Sequence, residues 1–149
     1  MKPARHATYA AACALALTGC VTPATGTDSY RGKASASIEA VISEVETTRI
    51  AVDALLHDRI MMPYADETIT AAESTLGAIS AAFGSVQPPD DPQADEVRET
   101  VTALVDAAEE AVTDARIASR RPQHADLRDA LTMLDDVARQ LDAAEAQLR

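Results

Sequence analysis

Residues 97–118 read VRETVTALVDAAEEAVTDARIA, and this stretch decides the fold. Val97, Val101, Leu104, Val105, Ala108, Ala111, Val112, Ala115 and Ala118 recur at alternating three- and four-residue steps, the period of one helix face. An acidic stripe of Asp95, Glu99, Asp106, Glu110 and Asp114 runs opposite and reads as a solvated face. On the N-terminal side, Pro88-Pro89-Asp90-Asp91-Pro92 admits no helix, while Asp90 or Asp91 can cap the next one with Pro92 in its first turn. On the C-terminal side, Ser119-Arg120-Arg121-Pro122 predicts a short turn.

The same period extends in both directions. Leu127, Ala130, Leu131, Leu134, Val137, Ala138, Leu141, Ala144 and Leu148 mark a fourth helix. Ala65, Ile69, Ala72, Leu76, Ile79 and Phe83 mark a second, with Gly84 as its stop. Ile38, Val41, Ile42, Val45, Thr48, Val52, Leu55 and Leu56 mark a first, expected from about Ser35 to Ile60. Met62-Pro63 predicts a turn between the first two helices. A continuous kinked helix is the alternative, because Met62, Ile69, Leu76 and Phe83 keep the seven-residue phase of Val41, Thr48 and Leu55. Strand patterns are absent. The expected fold is therefore all-α, an up-down-up-down four-helix bundle over residues 35–149, about 30–40 Å long. Alanine at many seam positions buries little apolar area each, so modest stability is expected. Seam regularity of this kind is also compatible with closure between two chains.

The start of the chain is of another kind. Lys2 and Arg5 precede an Ala/Leu-rich run, Ala7 to Leu17, which has the length of a signal-peptide core and is too short to span a bilayer. Leu17-Thr18-Gly19-Cys20 follows, and this arrangement resembles the lipobox of bacterial lipoprotein precursors. The resemblance implies that residues 1–19 are a signal peptide cut before Cys20, that the Cys20 thiol receives a diacylglyceryl group, and that the new amino terminus is acylated. It implies export and a lipid anchor in the cell membrane, or in an outer membrane where the organism has one. Val21 differs from the aspartate that favours inner-membrane retention in the resembling Gram-negative proteins. Residues 20–34, which show no apolar periodicity, are expected to form a flexible tether of roughly 20 Å span.

Charge and cysteine content narrow the function classes. The formal charge of −11 becomes −13 once Lys2 and Arg5 leave with the leader. Such a body is repelled by nucleic acid and by anionic lipid surfaces, so nucleic acid is not an expected partner and membrane contact is expected through the lipid alone. The two cysteines are Cys13, in the leader, and Cys20, which leaves the body without a thiol for a disulfide, a zinc site or a nucleophile. Di-iron bundles need Glu three residues before an inward His, but Ala54 and Arg121 precede His57 and His124 at that spacing. Cys-x-x-Cys-His for haem is absent. No cofactor, metal or enzymatic activity is expected.

Up-down topology implies one functional surface. The first turn and the third-to-fourth turn share the end of the bundle remote from Cys20, gathering His57, Arg59, Met61, Met62, Tyr64, Arg120, Arg121 and His124. This tip reads as locally basic, with two methionines and a tyrosine that no seam demands, and Arg59, Met61, Met62, Tyr64, Arg120 and Arg121 are its expected partner-binding residues. The plainer alternative is that the arginines cap helix dipoles and the methionines plug the bundle end. The functional expectation is a non-catalytic adaptor or accessory subunit that meets a protein partner or a second copy. A bundle binding a small ligand or a cation is the alternative.

Overall fold

The computed structural model describes residues 26–149. The expected signal peptide, Cys20 and the first residues of the expected tether lie outside the described residues. Four helices make up the fold: α1 Thr27–Leu56, α2 Met62–Gly84, α3 Pro92–Arg120 and α4 His124–Leu148. Connections of three to seven residues leave no room for a crossover, so neighbours are antiparallel. Each helix packs on the next, and α4 closes the bundle against α1. Across the centre, α1 also meets α3, while α2 and α4 stay apart on opposite corners. Small side chains set this diagonal: α3 turns Ala94, Ala108, Ala111, Ala115 and Ala118 inward, and separation between helix axes follows side-chain size.

Most of the buried residues are those of the expected seams, joined by Ala51, Ala94 and Ser119, while seam residues such as Ile42, Val97, Leu104 and Leu131 are only partly buried. Ile38, Val41, Val45 and Val52 of α1, Ile69 and Leu76 of α2, Val101 and Val112 of α3, and Leu134 and Leu141 of α4 are fully enclosed. One polar residue shares that seam deep in α1: the Thr48 side chain is enclosed and its hydroxyl has no hydrogen-bond partner. Between α2 and α3, Glu73 accepts a hydrogen bond from the Thr113 hydroxyl at 2.9 Å and pairs with Arg116 at 2.8 Å, which fixes their register.

The expected 20–34 tether is corrected at its C-terminal end. α1 begins at Thr27, eight residues before Ser35, and Tyr30 and Ala34 are fully buried. The physical reason is an aromatic contact, with the Tyr30 and Phe83 rings 5.7 Å apart and tilted by 39°. That burial outweighs Gly32 in the helix interior, which costs about 1 kcal/mol relative to alanine.

Two further contacts fasten this end, here called the base. The Thr27 hydroxyl donates to the Asp91 carboxylate, which also caps α3 by accepting from the Gln93 N–H at 3.0 Å. The Arg31 guanidinium donates to the Gln147 carbonyl at 2.9 Å, tying the start of α1 to the end of α4.

The break at Met62-Pro63 is a turn. α1 ends with the Arg59 N–H donating to the Ala54 carbonyl at 2.8 Å and the Asp58 N–H to the Leu55 carbonyl at 3.1 Å. This paired pattern is a Schellman stop, and Asp58 takes its left-handed position with φ 54°. Pro63 then falls in the first turn of α2, where its missing N–H leaves no helical bond unmade.

Candidate functional site

The tip forms where α1 stops, α2 starts, α3 stops and α4 starts. The Schellman stop turns residues 59–61 across the bundle end, and Leu55, Asp58, Ile60, Met61, Met62, Tyr64 and Pro122 line one shallow cleft there with Arg59. Met61 and Tyr64 are each 66% exposed and Met62 is 41% exposed, while Ile60 packs against the core beneath them. Met61 is the residue just before α2 and offers no capping side chain. A polar residue there would accept from a free backbone N–H, so a thioether at this position forgoes a local stabilisation.

The two nearby arginines are neutralised within the chain. Arg59 pairs with Asp53, which also draws the His57 ring to 3.3 Å. Arg120 donates to Asp66 of α2 at 2.8 Å, and that hydrogen bond is the main cause holding its guanidinium above its ordinary pKa. Arg120 borders a second depression beside Met62, Pro63 and Glu67. Arg121 belongs elsewhere: it lines the α3–α4 groove with Asp114, Ile117, Gln123, Asp126, Asp129 and Met133. His124 opens α4 and is exposed.

The structure therefore brings Arg59, Met61, Met62 and Tyr64 into one cleft, sets Arg120 at its edge, and places Arg121 on another face. The locally basic character expected from the run of arginines is corrected. Asp53 and Asp66 pair with Arg59 and Arg120, leaving Asp58 in the cleft and Glu67 beside it as exposed carboxylates that make no ion pair among the described residues.

Sequence reasoning missed Asp58, Ile60 and Pro122 as parts of the cleft. It also missed three exposed apolar residues off the seams, Ile50, Ile117 and Met133. Their signal was available, since each sits between seam positions in a helix whose outer face is otherwise polar. With Met61, Met62 and Tyr64 they complete the set of large apolar side chains exposed among the described residues, and all six lie in the half of the bundle toward the tip.

At the base, a groove of ≈ 300 Å³ lies between α3 and α4, with Val97, Val101, Ala144 and Leu148 beneath a rim of Arg31, Gln93, Glu96 and Gln147. No three or more His, Cys, Asp or Glu residues among the described ones are grouped so as to hold a metal ion. Among the described residues, no helix is long and apolar enough to cross a membrane. Chemically, the tip offers a thioether and phenol surface rimmed by carboxylates and paired guanidinium groups, suited to cover by another polypeptide. Comparison with protein-family models, with curated proteins and with solved structures finds no match to this chain.

Proposed function

We propose that this chain is a lipid-anchored, non-catalytic envelope protein whose bundle carries a docking tip for a protein partner. The observation that supports the reading is the polar distribution of the large exposed apolar residues, which among the described residues all fall in the half of the bundle away from the start of α1. α1 runs 30 residues from Thr27 to Leu56, which puts the tip about 45 Å from the start of the bundle. Multiple acyl chains on Cys20 would hold the base at a membrane without help from the body, whose charge of −13 disfavours contact with anionic lipid. The tip would then face outward.

The test combines anchor and tip in the native host. The wild type should gain acyl mass and fractionate with membranes, and Cys20→Ser should do neither. In the wild type, crosslinking through the tip should give a discrete conjugate that Met61→Ser/Met62→Ser abolishes without affecting membrane partition. A soluble, unlipidated wild type would overturn the anchor. A conjugate unchanged by the tip substitutions would overturn the docking surface.

A second reading, binding of a small ligand, has the base groove in its favour. Ala144 leaves there the kind of gap that an alanine-rich seam implies. It predicts a ligand-dependent rise in melting temperature that Ala144→Leu removes by filling the groove, and a melting temperature unmoved by any ligand tried would count against it.

A further inference from the structure

Asp58 is at odds with its local surroundings on two counts. Its φ of 54° is a conformation that costs a side-chain-bearing residue and that glycine adopts freely. Its carboxylate also sits just past the C-terminus of a 30-residue helix, where the dipole favours positive charge, and the last turn of α1 contains no basic residue to offset it. Arg59 is adjacent but is engaged by Asp53. An exposed carboxylate held where local physics disfavours it, in the wall of the cleft that holds Met61, Met62 and Tyr64, is a candidate for recognition.

Building on the docking tip proposed above, we infer that its occupant is a basic amphipathic segment of a partner protein. Its apolar side chains would cover Met61, Met62 and Tyr64, and its lysines or arginines would meet Asp58 and Glu67. Charge complementarity selects this occupant. The body carries −13, and with Arg59 and Arg120 internally paired, the cleft presents unpaired carboxylates beside its methionines. A second copy would bring the same carboxylates and the same net charge to the contact. Methionines suit an amphipathic segment because their unbranched thioethers adapt to different apolar side chains. The apolar contact would supply the hold, and the carboxylates would set the sign of the partner.

The chain contains few methionines, which makes methyl NMR a direct test. Met61, Met62 and Met133 are the methionines among the described residues, and Met133 lies in the separate α3–α4 groove. The full chain labelled at its methionine methyl groups would be titrated with a Leu/Lys amphipathic helical peptide and with its Leu/Glu counterpart of identical apolar pattern. The Lys peptide should shift Met61 and Met62, leave Met133 in place, and bind at least about tenfold more tightly than the Glu peptide at low salt, with the difference shrinking as salt screens it.

Met61→Ser/Met62→Ser should weaken the Lys peptide about tenfold with net charge unchanged, a loss that unspecific attraction to an acidic surface would not produce. Asp58→Asn keeps a residue tolerant of the left-handed conformation and should weaken binding several-fold while leaving the fold intact by circular dichroism. Equal binding of the two peptides, or shifts at Met133 instead of Met61 and Met62, would overturn the inference. A concentration-dependent dimer of the chain alone that Met62→Ser dissolves would also overturn it in favour of a second copy, while the tip would stand as a docking surface.

Discussion

Replacing Thr48 with valine should make the bundle more stable. Three exposed threonines, Thr47, Thr75 and Thr132, donate their hydroxyls to the carbonyl four residues earlier, at 2.8–3.0 Å. Thr48 makes no such bond, although it is fully buried on the α1 seam between Val45 and Val52. An unpartnered buried hydroxyl costs about 1–3 kcal/mol, and the methyl that replaces it contributes roughly 0.8 kcal/mol on burial. Valine and threonine have nearly equal helix propensities, so the backbone term cancels. Crowding in a close-packed seam takes back part of the gain, since a methyl is bulkier than a hydroxyl. The net expectation is about 1–2 kcal/mol of added stability, or roughly 4–8 °C in Tm for a bundle of this size. Urea denaturation read by far-ultraviolet circular dichroism measures it, with an unchanged m-value as the condition for interpreting the midpoint. Thr48→Ser, which keeps the hydroxyl and removes the methyl, should lose about 1 kcal/mol in the same assay. A Thr48→Val protein less stable than wild type by more than about 0.5 kcal/mol would refute the reasoning, because it would mean the hydroxyl has a partner worth more than its desolvation.

The ionisable groups at the base give two pH-dependent predictions of opposite sign, and the helix start gives a third. Burial raises the Tyr30 phenol above its ordinary value of 10.0, with Arg98 opposing and Asp95 reinforcing. Its contribution is complete below that ordinary value and is lost as pH climbs through the folded one, so Tyr30→Phe should flatten the alkaline fall in Tm. An identical alkaline limb in the two proteins would exclude Tyr30 as its source. The Thr27 hydroxyl and then the Gln93 N–H hold Asp91 below 3.8, so its contribution is present above that value and lost as pH falls through the folded one. Asp91→Ala should lower Tm at neutral pH, with the gap to wild type closing in acid; a gap constant with pH would mean the carboxylate charge is irrelevant. A chain starting at Ser35 should be less stable than one starting at Gly26 by about 1–3 kcal/mol from the loss of Tyr30 burial, since the cost of its unpartnered hydroxyl offsets part of the aromatic contribution, and equal urea midpoints would contradict the extended α1.

The helices that were legible were those whose seams run without interruption. Val97 to Ala118 and Leu127 to Leu148 alternate by threes and fours with charges between them, and α3 and α4 span them. Proline and glycine marked the start and end of α2 because their backbone limits are local and leave few choices. The start of α1 was obscured because Gly32, Ser29 and Thr27 favour a loop by composition. Even so, Tyr30, Ala34 and Ile38 continue the seam at four-residue steps. What decides in favour of helix is Phe83, more than 50 residues away in the chain, and no local window contains that contact.

The tip was legible in place and not in sign. Short connections dictate which ends meet, so the gathering of Met61, Met62 and Tyr64 followed from topology alone. Its electrostatics depend on pairings that sequence distance conceals: Asp66 and Arg120 are 54 residues apart, and Asp53 reaches Arg59 only because the Schellman stop folds the chain back. The two ends of the bundle are also built on different terms. At the base, long-range contacts override the loop preference of Thr27, Ser29 and Gly32, with a capped α3, a clasp from Thr27 to Asp91, and an aromatic pair closing the core. At the tip, a carboxylate occupies a left-handed helix stop, a methionine stands where a cap would serve, and large apolar side chains face water. Folding alone would favour glycine at 58 and a polar cap at 61. These three departures fall at the end that the proposed anchor would leave facing outward, and a partner covering the cleft would satisfy the methionines and Asp58 together.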